Sequence, residues 1–273
     1  MTYGEIVARL SQAGIESAEW DTALLLEHFC NVDRYTLHAD SARDYRDTAL
    51  LDAVEKRASR YPLQYLLGEW QFYRQTYEVS PDCLIPRADT ECLVEEAIKR
   101  LPKGALFADL CTGSGCIAVS ILSERPDTRA VAVEKFPHTL ELAVRNAAKN
   151  AVSDRFTPIC ADVLTPDFLP HDLQFDAIIS NPPYIRRDVL DTLEPELSAE
   201  PLAALDGGDD GLLFYREILR LASDRLKEDG FFLFEIGYDQ AKELERLGQE
   251  ASFSNCRVLR DLGGNDRMVI LKK

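Results

Sequence analysis

The stretch ALFADLCTGSGCIA, residues 105–118, decides how the rest of the chain is read. Ala105–Leu110 is a short apolar run with the length of a buried strand. It runs into a turn carrying Gly113 and Gly115, and a helix begins near Gly115. Glycine tolerates positive φ and lets the backbone approach a ligand closely. The next strand, Arg129–Val133, leads into Glu134, nineteen residues beyond Gly115, where a carboxylate can take both hydroxyls of a ribose. A dinucleotide-binding turn would read GxGxxG. Here the three positions are Cys111, Gly113 and Cys116, so a pyrophosphate would lack the close approach that fingerprint provides. The pattern D-x-x-x-G-x-G that starts at Asp109 suits a ribose-bearing ligand without phosphates, and a cationic one such as S-adenosylmethionine is tolerated by an acidic pocket.

Outward from this unit, helices and strands alternate. A helix over Thr90–Leu101 precedes it, and a helix over about Pro137–Asn150 follows the second strand. Further strands are predicted at Phe156–Cys160, Asp176–Ser180 and Gly230–Ile236, with a helix at Leu212–Leu226. Strands separated by helices predict an α/β domain with a mostly parallel twisted sheet covered on both faces. The tail, Cys256–Leu259 and Arg267–Leu271, reads as a terminal hairpin and an antiparallel edge.

Before this domain, residues 2–68 read as short helices. Ile6, Val7, Leu10 and Ile15 form one apolar face, and Leu50, Leu51, Val54 and Ala58 another. Thr2 and Ser17 are candidate N-caps and Gly14 a candidate stop. Trp70 and Phe72, then Tyr77 and Val79, alternate with polar residues as in a small hairpin. The expected layout is a helical bundle at 1–68, a hairpin linker at 69–85 and the α/β domain at 86–273. The bundle carries no catalytic pattern, which makes it a candidate docking module.

Composition narrows the function classes. The chain has 273 residues, 46% hydrophobic and 29% charged, with no apolar run near the ~20 residues that span a bilayer. No secretion signal is visible at the N-terminus, and seven cysteines without a CxxC pair point to reduced thiols in the cytoplasm. The histidines, His28, His38, His138 and His171, share no ligand spacing with the cysteines, so no metal is expected. The formal net charge is −16 and no Lys/Arg cluster offers a phosphate-binding face; direct nucleic-acid binding is disfavoured. An acidic surface suits a basic protein partner.

A second stretch, FDAIISNPPYI at 175–185, carries the chemistry. The strand stops at Asn181-Pro182-Pro183-Tyr184, and two prolines send the chain out as a stiff segment. The Asn181 side-chain oxygen and the Pro182 carbonyl can each accept one N–H of a planar NH2 group, with the Tyr184 ring as a flat cover. The alternative is an Asx turn that closes the strand. Asp162 in CADV can receive an adenine amino group, or simply close its own strand in the same kind of turn.

DLCTGSGCIA, VAVE, CADV and SNPPYI, in this order and spacing, resemble a Rossmann-like class I methyltransferase dependent on S-adenosylmethionine. NPPY after the fourth strand is shared by enzymes that methylate amide or exocyclic amino nitrogens. PLQYLLG at 62–68, LIPRADTE at 84–91, AEPLAALDGGDDGLLFYREI at 199–218, FEIG at 234–237 and DLGGNDRMV at 261–269 extend the resemblance to the bacterial release factor glutamine methyltransferases (HemK/PrmC type). The resemblance implies methyl transfer from S-adenosylmethionine, leaving S-adenosylhomocysteine, to the glutamine amide in the Gly-Gly-Gln motif of class I peptide release factors. It implies a monomer acting in the cytoplasm. It assigns the cofactor to Asp109, Cys111, Thr112, Gly113, Ser114, Gly115, Glu134, Asp162, Val163 and Asn181, and catalysis to Asn181, Pro182 and Tyr184. The substrate falls to Asn181, Pro182, Pro183, Tyr184, Arg87 and Glu200. Arg87, Glu91, Glu194 and Glu200 can equally be ion pairs that brace the hairpin and the long 186–209 loop. Two departures stand out: Cys111 replaces the first glycine of the cofactor loop, and Glu134 replaces the commoner aspartate. The competing readings are a DNA or RNA amino-methyltransferase, which should bring a basic target-recognition region, and a silent nucleotide-binding adaptor.

Overall fold

The computed structural model describes residues 1–33, 37 and 42–273, so His38 lies outside the described residues. The chain divides into two compact units, Met1–Glu69 with Leu193–Ala199, and Trp70–Thr192 with Glu200–Lys273.

The first unit is helical: α1 (Tyr3–Gln12), α2 (Ala18–Cys30), α3 (Thr48–Ala58) and the short α4 (Leu63–Leu67). Thr2 and Glu5 form a reciprocal capping box on α1, which satisfies two backbone donors that the helix itself cannot. Asp47 caps α3 by accepting from the Leu50 amide at 3.0 Å. Ser17 precedes α2 but caps nothing: its hydroxyl donates to Asp21 at 2.7 Å instead. Ile6, Leu10, Leu25, Leu26, Leu50 and Val54 are fully buried between the helices. Buried Arg57 pairs with Asp21 at 2.7 Å and with Glu196 at 3.2 Å, and Arg60 reaches Glu196 at 2.8 Å. The segment 193–199 of the long loop is thereby tied into this unit.

The second unit opens with the hairpin β1 (Glu69–Phe72) and β2 (Gln75–Glu78). Phe72 and Tyr77 meet edge to face at 5.9 Å, and the Tyr77 hydroxyl bonds Ser120 at 2.7 Å. The hairpin therefore belongs to the core of the α/β unit. After α5 (Glu91–Arg100) come β3 (Leu106–Leu110), α6 (Cys116–Glu124), β4 (Arg129–Glu134), α7 (Pro137–Lys149), β5 (Phe156–Cys160) and β6 (Phe175–Ser180). The chain ends with α8 (Leu213–Ala222), β7 (Leu226–Glu235), α9 (Ala241–Glu250), β8 (Asn255–Arg260) and β9 (Asp266–Lys272).

Seven strands form one sheet in the order β5-β4-β3-β6-β7-β9-β8, parallel except for β9, which runs antiparallel to both its neighbours. Alternate residues feed opposite cores: Phe107 packs with Leu93, Ile117 and Val119 on one face, Ala108 and Leu110 with Tyr215, Ile218 and Phe232 on the other. Two local expectations are corrected. The predicted helix to Leu226 stops at Ala222, and β7 begins at Leu226, with an irregularity where Phe175 pairs with Leu226 but Ala177 with Phe231. The reading placed no helix between 237 and 255. There α9 buries only Ala241, Leu244, Leu247 and Gly248 and is otherwise polar, so its apolar stripe is narrow.

Candidate active site

The strand order reverses between β3 and β6, which are neighbours in the sheet although other elements separate them in sequence. Leu110 and Ser180, their last residues, are register partners, and the Ser180 hydroxyl donates to the Leu110 carbonyl at 2.6 Å. The loops that begin at Cys111 and Asn181 therefore leave the sheet side by side. Open α/β sheets bind ligands at such a switch point, beyond the carboxyl ends of the strands. A cavity of about 260 Å³ opens there.

The first loop is tightly wound. Cys111 takes φ 58°, so the position usually filled by glycine keeps its left-handed backbone at a cost of roughly 1–2 kcal/mol for a residue with a Cβ. The Thr112 hydroxyl and the Ala118 amide both donate to Asp109 Oδ2, at 2.6 and 3.2 Å. The Gly113 and Phe136 amides donate to the two oxygens of Glu134, each at 3.1 Å. Gly115 presses on α7: an added Cβ would stand 3.2 Å from that of Ala143.

Asp109 is fully buried beneath the loop and is not on the cavity wall; its Oδ1 has no hydrogen-bond partner. Burial pushes its carboxyl up to about 7, although Thr112 and Ala118 pull the other way. Glu134 is on the wall, and burial raises it too, against the amides of Phe136 and Gly113. The three cations on the wall are already matched. Arg87 pairs with Glu200, Lys135 with Asp162 at 2.9 Å, and Arg187 with Asp206 and Asp209 at 3.1 and 2.9 Å. The cavity thus holds acids short of positive charge and no spare cation for a pyrophosphate among the described residues, which fits a cationic, phosphate-free nucleoside.

On the second loop Asn181 and Pro183 face the cavity. The Asn181 Nδ2 donates to Thr90 Oγ1 at 3.2 Å, which turns the carboxamide oxygen away from Thr90. Pro182 is buried, and Tyr184 stands off the wall, with its hydroxyl 3.4 Å from Glu235 Oε1. The backbone of Tyr184 is clamped from behind. Its carbonyl accepts from Gln240 Nε2 at 3.0 Å, and its neighbour Ile185 exchanges backbone bonds with Leu205 and Gly207. An added Cβ on Gly207 would stand 2.7 Å from the Tyr184 Cα, and one on Gly211 2.5 Å from the Tyr184 oxygen.

Against known proteins, the fold is shared with a SAM-dependent O-methyltransferase from Thermotoga maritima, at a TM-score of 0.50 and 15% identity over 70% of this chain and 66% of that one. The PrmC N-terminal domain matches residues 3–68 and the methyltransferase small domain residues 88–209. The release factor glutamine methyltransferase of Geobacter sulfurreducens is 39% identical over 264 residues, 95% of this chain and 91% of the relative. That of Mycolicibacterium smegmatis is 38% identical over 267 residues, 96% and 93% of the two chains. The chain belongs to the release factor glutamine methyltransferase family.

Of the residues that the family resemblance assigns, Cys111, Thr112, Gly113, Ser114, Glu134, Asp162, Val163, Asn181, Pro183 and Arg87 line one cavity. Asp109, Gly115, Pro182, Tyr184 and Glu200 do not line it. Asp162 makes the strand-closing turn, its Oδ1 accepting from the Leu164 amide at 3.0 Å, while Lys135 holds its other oxygen. Glu200 is buried and accepts from both Arg87 and the Ile85 amide, the latter at 3.1 Å. Glu91 braces the hairpin through the Tyr73 amide at 2.8 Å, and Glu194 is an exposed residue of the first unit. The reading missed Cys83, Ile85, Phe136 and Phe214 on the wall and Gln240 behind it. An aromatic two residues beyond Glu134 was a usable signal for Phe136, which is 44% exposed at the cavity. Gln240 gave none, because its partners are backbone groups, the Tyr184 and Gly211 carbonyls and the Gly237 amide.

Proposed function

We propose that this chain transfers a methyl group from S-adenosylmethionine to the side-chain amide nitrogen of the glutamine in the Gly-Gly-Gln motif of class I peptide release factors. The observation that carries the reading is the placement of Asn181. Its carboxamide, held by Thr90 through the nitrogen, shares one cavity wall with Glu134 and the Gly113 loop. S-adenosylmethionine supplies an electrophilic methyl group on a cationic sulfur. Glu134 would accept from the ribose hydroxyls, with the Gly113 loop and Val163 around the nucleoside and the Asp109 carboxyl buried beneath that loop.

An amide nitrogen is a poor nucleophile because its lone pair is delocalised into the carbonyl. Asn181 Oδ1 and the Pro182 carbonyl, each accepting one N–H, favour a pyramidal nitrogen with its lone pair aimed at the methyl group. As the bond from nitrogen to the methyl carbon forms, the carbon–sulfur bond breaks with its electron pair going to sulfur, and the nitrogen releases a proton to solvent. Such positioning lowers a bimolecular barrier by up to ~7–11 kcal/mol. Acceptors whose bonds strengthen as positive charge grows on the nitrogen add stabilisation specific to the transition state. We assign release factor docking to the helical residues 1–68, since the 86–273 region carries the chemistry, and we expect a cytoplasmic monomer. No described helix is long and apolar enough to cross a membrane.

Incubation with methyl-labelled S-adenosylmethionine and either an unmodified release factor or DNA tests this. Label should enter the Gly-Gly-Gln peptide of the factor. Label in DNA and not in the factor would replace this reading with a nucleic-acid amino-methyltransferase.

A further inference from the structure

The loop that follows NPPY is divided between the two units. Residues 186–192 and 200–209 belong to the second, while Leu193–Ala199 belongs to the first. Its short 3-10 turns, Arg187–Thr192, Pro195–Ala199 and Leu202–Ala204, bury no residue. A segment with no core of its own keeps its shape only where something else holds it. Yet its two arms give Arg187, Pro201, Ala203, Ala204 and Asp206 to the cavity wall that also carries Asn181. At the base of the loop the Ile185 amide donates to the Leu205 carbonyl at 3.0 Å, and the Gly207 amide to the Ile185 carbonyl at 2.8 Å. Glu200 adds a second hold by accepting from Arg87 and the Ile85 amide.

The far end of the loop is held in the first unit through Glu196. Arg57 Nη1 donates to Glu196 Oε1 at 3.2 Å, and Arg60 Nη2 donates to Oε2 at 2.9 Å. Arg57 is 8% exposed, and its charge is already met by the buried Asp21 at 2.7 Å. A buried guanidinium needs one carboxylate to offset its charge, so the helices do not need Glu196 to complete them. Glu196 is what the two arginines hold. Arg60 takes φ 70°, a left-handed backbone that is costly for a residue with a Cβ, while its Nη1 donates to the Gly14 carbonyl at 2.7 Å. Strain kept at such a residue points to the work of its side chain. Burial opposes the charge on Glu196, but its own amide, Arg60 and Arg57 outweigh that and hold the carboxyl below the usual range.

We propose that Glu196 is a positioning residue for methyl transfer: seated on Arg57 and Arg60, it fixes the far end of the loop whose two arms wall the cavity beside Asn181. The inference rests on the reading of that cavity as the methyl-transfer site. Three residues separate Glu196 from Glu200, so the chain between the two seats has little slack, and the wall residue Pro201 follows directly. A loop released at Glu196 keeps its base and Glu200 but loses its far end, and the wall loosens. The helical residues thereby serve the reaction itself, in addition to docking, because they hold part of the site in shape.

The test uses the full chain as wild type, Glu196→Ala, Arg60→Gly and Asp191→Asn. It measures kcat and KM on a Gly-Gly-Gln release factor at saturating S-adenosylmethionine, cofactor affinity by calorimetry, and amide hydrogen exchange by mass spectrometry. Arg60→Gly removes one grip and suits the left-handed backbone, so it does not strain the fold. Asp191→Asn removes one charge from an exposed position of the same loop and controls for weaker attraction to a basic partner. Glu196→Ala and Arg60→Gly should lower kcat about 10- to 100-fold, the range set by misplacing a reacting group, with cofactor affinity within about threefold of wild type. Amides of residues 187–206 should exchange faster in both, while those of α1, α2 and α3 keep their protection. Asp191→Asn should match wild type throughout. A higher KM at unchanged kcat would make the segment a docking element and overturn the proposal, as would unchanged exchange across 187–206. Loss of protection in α1–α3 would assign these contacts to folding and overturn it too. A wild type that is silent on the release factor but binds the cofactor overturns both this inference and the proposed function.

Discussion

Gly211→Ala puts a methyl group where the carbonyl of the NPPY segment already sits. The new Cβ would stand 2.5 Å from the Tyr184 oxygen and 2.7 Å from Gln240 Nε2. Gly211 also has φ +73°, which costs a residue with a Cβ roughly 1–2 kcal/mol. Gly104→Ala isolates that backbone cost, because Gly104 has φ +71° and nothing within 4 Å of an added Cβ. The extra cost at Gly211 has two parts. Forcing a methyl into a filled site costs about 1–3 kcal/mol. Displacing the Gln240 amide from the Tyr184 carbonyl forfeits about 1 kcal/mol more. Gly211→Ala should therefore be about 2–4 kcal/mol less stable than Gly104→Ala, a gap of about 4–16 °C in melting temperature for a unit of this size. If the protein relieves the clash by moving Tyr184 and not by losing stability, Asn181 moves as well, and a 1 Å shift costs about 100-fold in turnover. Paired thermal melts by circular dichroism and single-turnover rates at saturating cofactor measure the two outcomes. Equal melting and equal rates for the two variants would refute the idea that Gly211 exists to let the chain approach Tyr184.

Asn181→Ala should cut methyl transfer about 100- to 1000-fold, by analogy with a removed oxyanion-hole donor, and Asn181→Asp less, since it keeps an acceptor oxygen; single-turnover rates decide. S-adenosylmethionine and S-adenosylhomocysteine should raise the melting temperature, by about 2.7 kcal/mol of stability at a hundredfold excess over Kd, while NAD should not. A stabilisation by NAD alone would remove the methyltransferase reading. A chain starting at Glu69, which keeps the buried Phe72 and Tyr77 of the hairpin, should retain cofactor affinity and lose most activity on an intact release factor. Full activity of that chain would rule out docking by the helical residues.

Sequence alone determined the sheet and the glycine-bearing turn after β3, because both are local patterns. Short apolar runs broken by helical stretches leave few alternatives to a parallel sheet. The missing glycines at Cys111 and Cys116 argue against a pyrophosphate without reference to anything distant. NPPY was legible for a similar reason: consecutive prolines stiffen the chain wherever they occur. The partner of the Tyr184 hydroxyl was not legible in this way. The hydroxyl turns to Glu235, a contact between residues 51 apart in sequence. Gly207, Gly211 and Gln240 are silent for the same reason, since each acts by approaching a backbone that the topology brings near. The pairing of Leu110 with Ser180 brings the two readable motifs to one sheet edge. Thr90 and Glu235 meet Asn181 and Tyr184 only because β7 lies beside β6 and the helix after Thr90 packs across it. Local sequence specifies which backbone bends and which side chains are available, but the direction of a hydrogen bond depends on what is buried next to it, and that is decided by tertiary structure.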